Sequence, residues 1–276
     1  MSHSQLTPPH YLHQLQSKGW VCLPAQPAIE AWRQQALPVA LERMAAPELQ
    51  QWWRYQKTWF VGVNALPNDP LGRLTEDGPE VAESLRQLLA DYLHCPLASM
   101  AFDQAQISAC MPGYPQPNSQ ESDAAFAFRQ QYFAAHLDGL RPMGEHRRRH
   151  LTEQHSFILG IPLTQHPPDA GPLMIWPGSH KLIQTWLQQQ LQHTPPHQWQ
   201  EIDLTDSYQA LRWHILQHIK PQAIQVPSGG AYLLHRHAVH GQGVWPRTRL
   251  DPHQQGRIIA YFRPCLHSPQ DWLCAD

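Results

Sequence analysis

Gly229-Gly-Ala-Tyr-Leu-Leu-His-Arg-His-Ala-Val-His-Gly241 is the stretch whose reading decides the fold. A glycine pair opens it, Ala231 to Leu234 forms a short apolar run, and three histidines close it. A short apolar run bounded by turn residues reads as a strand, since a helix needs ten residues or more. Side chains two apart on a strand share a face. His235 and His237 therefore point together on an uninterrupted strand, and His240 has the opposite parity.

The same kind of run recurs outward from this stretch. Residues 132–138, 156–163, 173–176, 223–226 and 257–262 all read as strands, as does 19–24 near the start. Ala105, Ile107, Ala109 and Met111 alternate with polar or small residues, as on a half-buried strand. Helical spacing is expected at 28–44, with Pro38 a kink or break, and at 181–192 and 207–218. The clearest amphipathic helix is 80–93, with Val81, Leu85, Leu88, Leu89 and Tyr92 on one stripe. Residues 45–79 read as irregular, and 111–118 and 193–200 as loops. Helices first, then about eight short strands separated by Gly and Pro turns, predict a sandwich or jelly roll with helices on the outside.

Composition excludes several classes. The net charge of −2 provides no global basic field for nucleic acid or an anionic membrane. The N-terminus MSHSQLTPPHYLHQ lacks the basic and apolar regions of a secretory signal, and no apolar stretch reaches bilayer length. Cys22, Cys95, Cys110, Cys265 and Cys274 are scattered without CxxC spacing, so reduced thiols and a cytoplasmic location are expected. No GxSxG, P-loop or GxGxxG signal supports a hydrolase or a nucleotide enzyme.

Metal chemistry enters with His136-Leu137-Asp138. On a strand the imidazole and carboxylate would meet one ion, and a second histidine would complete the facial triad of non-haem Fe(II) sites. With 19 histidines in the chain, composition alone can produce one such tripeptide, so the motif needs company. Three further segments supply it: Gly171-Pro-Leu-Met-Ile-Trp-Pro-Gly-Ser-His180, a strand, turn and helix start with Ser179 as the expected N-cap; the distal His240-Gly241; and Arg257-Ile-Ile-Ala-Tyr-Phe-Arg-Pro264, an arginine opening a strand.

In that order these motifs resemble the phytanoyl-CoA dioxygenase family of Fe(II)- and 2-oxoglutarate-dependent oxygenases, over residues 19–264. The resemblance implies a mainly β fold with flanking helices, a double-stranded β-helix (jelly roll, cupin-like). It implies one domain over 1–276: a helical part over 1–100, a jelly-roll core over 101–264, and a helical insertion over about 181–218. It implies Fe(II) on His136, Asp138 and His240, with 2-oxoglutarate as co-substrate and O2 as oxidant. Arg257 would grip the far carboxylate of 2-oxoglutarate, because the planar guanidinium binds carboxylates bidentately. The expected reaction is hydroxylation of a small molecule with release of succinate and CO2. The chain departs from the family in the long insertion, in Gly160 where some relatives carry an aromatic beside the co-substrate, and in Gln242 where a hydroxyl residue is common.

Alternatives stay open at this point. His235 or His237 competes with His240, and Arg247 or Arg249 with Arg257. His146 and His150 at i, i+4 would share a helix face and could bind zinc with Glu153 nearby. The Arg147-Arg148-Arg149 run is a solvated face or a cationic grip on an anionic substrate. Trp176 and Trp245 flank the proposed site. From another class comes a non-catalytic metal-binding jelly roll. A halogenase would lack the Asp138 carboxylate. Oligomeric state and substrate identity are not legible.

Overall fold

The structure, a computed structural model, describes residues 8–119, 121–246, 256–266 and 268–273. In chain order, α1 (Pro8–Lys18), β1 (Trp20–Leu23) and α2 (Pro27–Ala45) lead into the hairpin of β2 (Trp53–Arg54) and β3 (Trp59–Gly62). Then come α3 (Glu83–Tyr92), β4 (Gln106–Cys110), α4 (Asp123–Tyr132) and a second hairpin, β5 (Leu140–Met143) with β6 (Arg148–Leu151). β7 (Phe157–Pro162), β8 (Leu173–Ile175), α5 (Ser179–Leu191) and α6 (Thr205–His218) follow. β9 (Gln222–Ile224), β10 (Ala231–His235), β11 (His240–Gln242) and β12 (Arg257–Phe262) complete the core.

Seven strands form one antiparallel sheet in the order β1-β10-β7-β12-β4-β3-β2, and a smaller sheet runs β11-β8-β9. Strand parity decides what each face meets. On β12, Ile258, Ala260 and Phe262 pack toward the helices, in a core shared with Trp32 of α2 and Leu85 and Leu89 of α3. Ile259 and Tyr261 face the other way and meet Leu173, Ile175 and Ile224 of the small sheet. β7, β10 and β12 are buried along their whole length, which is why they read as continuous apolar runs. A further core joins α5 and α6 to Leu137, Trp176, Val239 and Trp272. This is the expected jelly roll with helices outside.

Five expectations are corrected. Pro38 does not break α2, because Ile29, Trp32, Ala36, Ala40 and Met44 bury one continuous stripe on both sides of it. Residues 45–79 contain the β2–β3 hairpin, held by Trp53 against Phe60. Residues 132–138 are not a strand: α4 ends at Tyr132, and His136 makes only a single bridge to His240. Ser179 is not an N-cap; Gly178, at φ +81°, takes that position. Residues 193–200, read as a loop, include part of a 3-10 turn over Pro196–Glu201. Among the described residues no helix is long and apolar enough to cross a membrane, and Cys22, Cys95, Cys110 and Cys265 are free thiols.

Candidate metal centre

Backbone pairing builds the centre. The amide of His136 donates to the carbonyl of His240 at 2.9 Å, and that of His240 returns the bond at 3.1 Å. Two residues that exchange both bonds sit directly opposite each other, so their side chains emerge together. The imidazole centroids lie 4.5 Å apart. Gly241 makes this approach possible: a Cβ there would lie 2.3 Å from the carbonyl oxygen of Phe133. That is the physical content of the His-Gly pair.

The segment ending in Ser179-His180 fixes the other side of β11. Trp176 donates its amide to Val239 at 3.1 Å, and Val239 donates to Oγ of Ser179 at 2.9 Å. The buried hydroxyl thus extends the β8–β11 ladder one step beyond the strand, next to His240. Losing a buried acceptor of this kind costs about 1–3 kcal/mol.

Both imidazoles are oriented by their own backbone. Nδ1 of His136 lies 2.9 Å from the carbonyl of Ala134, and Nδ1 of His240 lies 3.0 Å from that of Ala238. A carbonyl can only accept, so Nδ1 carries the proton in each ring and, in the neutral tautomer, Nε2 keeps the lone pair. Those Nε2 atoms lie 3.4 and 3.8 Å from Oδ1 of Asp138. The three ligand atoms all fall within 4.8 Å of one another. Ligands about 2.1 Å from one ion and at right angles stand about 3 Å apart, so the trio fits a facial metal site after a small contraction.

The other oxygen of Asp138, Oδ2, accepts from Nη1 of Arg263 at 3.0 Å, while Nη2 of Arg263 donates to Gln106 at 2.7 Å. Burial alone would raise the pKa of Asp138. Arg263 and the two imidazoles outweigh it and hold the carboxyl well below its usual range. Burial, and then the neighbouring His136, push His240 down to about 4 against the pull of Asp138. At neutral pH the set is therefore one carboxylate and a neutral distal imidazole, the protonation states metal binding requires.

A cavity of 1570 Å³ opens onto two of the three, lined by His136, Asp138, Gln106, Gln242 and Arg263 among others, while His240 is buried beside His136. Arg257 is 1% exposed and does not line the cavity, but its Nη2 donates to Oε1 of Gln242, which does. Its Nε has no partner and no carboxylate neutralises it among the described residues. A buried guanidinium with unused donors fits a carboxylate ligand. At the Gly160 departure, a Cβ would lie 2.2 Å from the Tyr232 ring, which fills that space from the adjacent strand.

His235 and His237 do not join the trio. They pack with His180 and Trp272 in a buried cluster. His146 lies in the turn between β5 and β6 and His150 on β6, so the helical pairing needed for zinc does not form. Trp176 and Trp245 are buried in separate cores and line no part of the cavity. Arg247 and Arg249 lie outside the described residues. Sequence reasoning missed Arg263, although it shares the Arg257 face of β12 by parity, and Arg212 of α6, for which the sequence carries no signal.

A jelly roll that brings two histidines and an aspartate together beside a cavity has the architecture of a non-haem oxygenase. The phytanoyl-CoA dioxygenase (PhyH) profile matches residues 16–243, and the chain belongs to that family of Fe(II)- and 2-oxoglutarate-dependent oxygenases. Among solved structures it is similar to the non-haem α-ketoglutarate-dependent carbocyclase SnoK of nogalamycin biosynthesis, at 15% identity and TM-score 0.52, covering 95% of this chain and 87% of that one. It is also similar to EvdMO1, at 14% identity and TM-score 0.51, covering 95% of this chain and 50% of that one. At these identities the likeness concerns the fold. No curated protein matches the chain.

Proposed function

We propose that the chain, acting as one domain over 1–276, hydroxylates a small molecule using Fe(II) held by His136, Asp138 and His240. The observation that carries the reading is the convergence of two Nε2 lone pairs and Oδ1 of Asp138, each oriented by a bond on its far side. When bound, the metal and 2-oxoglutarate supply the oxidation, and the overall balance turns substrate C–H, 2-oxoglutarate and O2 into C–OH, succinate and CO2. The protein's own work is positional. Arg263 fixes which Asp138 oxygen faces the histidines, and Arg257 offers its unused donors to the far carboxylate of 2-oxoglutarate once Gln242 yields part of the fork. Asp138 is retained, which favours hydroxylation over halogenation. The free thiols agree with a cytoplasmic location.

Cyclisation and epimerisation use the same centre, and product analysis separates them from hydroxylation. A metal-binding jelly roll without turnover is the second reading; the Gln242 amide already engaged by Arg257 favours it. Anaerobic loading with Fe(II), then O2 and 2-oxoglutarate, decides between turnover and binding alone. Iron-dependent succinate release supports the enzyme, and metal binding with no succinate supports the second reading.

A further inference from the structure

The charge on the wall of the metal cavity narrows the substrate class, on the footing that this cavity is the active site. Seven arginines and three carboxylates line it. Three of those arginines are neutralised: Arg129 by Glu121, Arg141 by Glu153 and Arg263 by Asp138. Arg54 is turned to the carbonyl of Gln51 at 2.6 Å. Arg147, Arg149 and Arg212 have no carboxylate partner among the described residues.

Two of these are anchored to the metal-binding turn itself. Nη1 of Arg149 donates to the carbonyl of Leu140 at 3.3 Å, and Nη1 of Arg212 to that of Ala135 at 3.4 Å. Ala135 and Leu140 bracket His136-Leu137-Asp138 in sequence. Arg212 also lies over the Phe128 ring at 4.8 Å and the Tyr208 ring at 5.5 Å, and the Tyr208 hydroxyl accepts the amide of Leu137 at 2.9 Å. Arg212 and Tyr208 both come from α6, so the insertion that sets this chain apart contributes Arg212 to the cavity lining. Each guanidinium spends one of five N–H donors on these anchors. Burial lowers the pKa of Arg149; Tyr208 opposes this, and the charges of Arg212 and Arg147 add to the lowering. Like charges gathered without an acid are unfavourable until an anion joins them.

The neighbouring residue provides the contrast. Arg148 leaves β6 on the opposite face and is bound to both Asp203 and Asp206. One arginine of the run is neutralised at the surface; the next carries its charge into the cavity.

We propose that Arg149 and Arg212, with Arg147 at the rim, form a subsite for a doubly charged oxyanion, and that the substrate is a small phosphate monoester bound by it. Three positive charges match a dianion better than a monoanionic carboxylate, and guanidinium forks fit phosphate oxygens.

The test titrates full-length protein with phenyl phosphate by calorimetry, first without added metal and then with Fe(II) under anaerobic conditions. Benzoate and benzyl alcohol serve as the monoanionic and neutral probes. Phenyl phosphate is expected to bind, with Arg149→Gln and Arg212→Gln each weakening it about tenfold or more. Arg148→Gln is expected to change it less than about twofold, as a solvated, already paired charge. Arg147 is exposed, so Arg147→Gln tests the subsite even if the Arg149 or Arg212 variant fails to fold. No binding of phenyl phosphate at millimolar concentration, equal binding of benzoate, or equal losses in Arg148→Gln and Arg149→Gln would overturn the proposal. Binding of phenyl phosphate without binding of Fe(II) would leave the subsite standing and remove the metal reading. Fe(II) binding without phenyl phosphate would do the reverse.

Discussion

Arg257 opens β12 and Arg263 follows its last residue, the same residue type in different circumstances. By strand parity the two fall on one face, about 20 Å apart. Arg263 is bound to the Asp138 carboxylate and to Gln106. Arg257 meets only the neutral Gln242 amide, and its Nε is unpartnered. An arginine whose charge is answered inside the protein holds a neighbour in place. One that is buried without an answering charge is set for a ligand that brings one. By this reasoning the proposal gives the Arg263 end to the metal and the Arg257 end to 2-oxoglutarate.

Removing the carboxylate between them should have the largest effect. Asp138→Ala is expected to lower Fe(II) affinity by more than about a hundredfold, beyond what loss of a supporting residue costs. Anaerobic Fe(II) titration measures it, and succinate release should vanish with it. Arg263→Gln comes next. Fe(II) affinity should fall about 10–100-fold, the range for a residue that orients a metal ligand. Stability should fall by about 3–5 kcal/mol, since Asp138 is left buried without its cation. Chemical denaturation of the metal-free protein reads this.

Arg257→Lys should produce the opposite pattern, which makes it the sharpest test of the comparison. The KM for 2-oxoglutarate is expected to rise about tenfold through loss of the bidentate fork, with Fe(II) affinity unchanged. A change in Fe(II) affinity with an unchanged KM would exchange the two roles. The smallest effect is expected from Gln242→Ser, which frees the Arg257 fork. The KM for 2-oxoglutarate should then fall by about two- to fivefold, roughly one hydrogen bond exchanged for another. A rise would mean that Gln242 itself holds the co-substrate.

What could be read beforehand follows the same division. His136, Asp138 and His240 were legible through the ordered set of motifs that carries the family resemblance; the tripeptide and strand parity alone left His235 and His237 open. The jelly roll was legible because β7, β10 and β12 are buried on both faces and so are apolar throughout. Arg263 had the parity of Arg257, but its partner is 125 residues away and no local rule pairs them. The strand expected at 132–138 dissolved because a single bridge to His240, with Gly241 beneath Phe133, does the strand's work. The β2–β3 hairpin was hidden by its short strands, and Arg212 by a helix whose spacing says nothing about what its polar face meets.

Which atoms hold the metal decides everything else at this centre. Crystals grown anaerobically with Fe(II), measured by anomalous diffraction at the iron edge, test it most directly. The expected result is one ion about 2.0–2.2 Å from Nε2 of His136, Nε2 of His240 and one oxygen of Asp138, with Arg263 on the other oxygen. An ion at His235 or His237, or coordination through Nδ1 of either triad histidine, would contradict it.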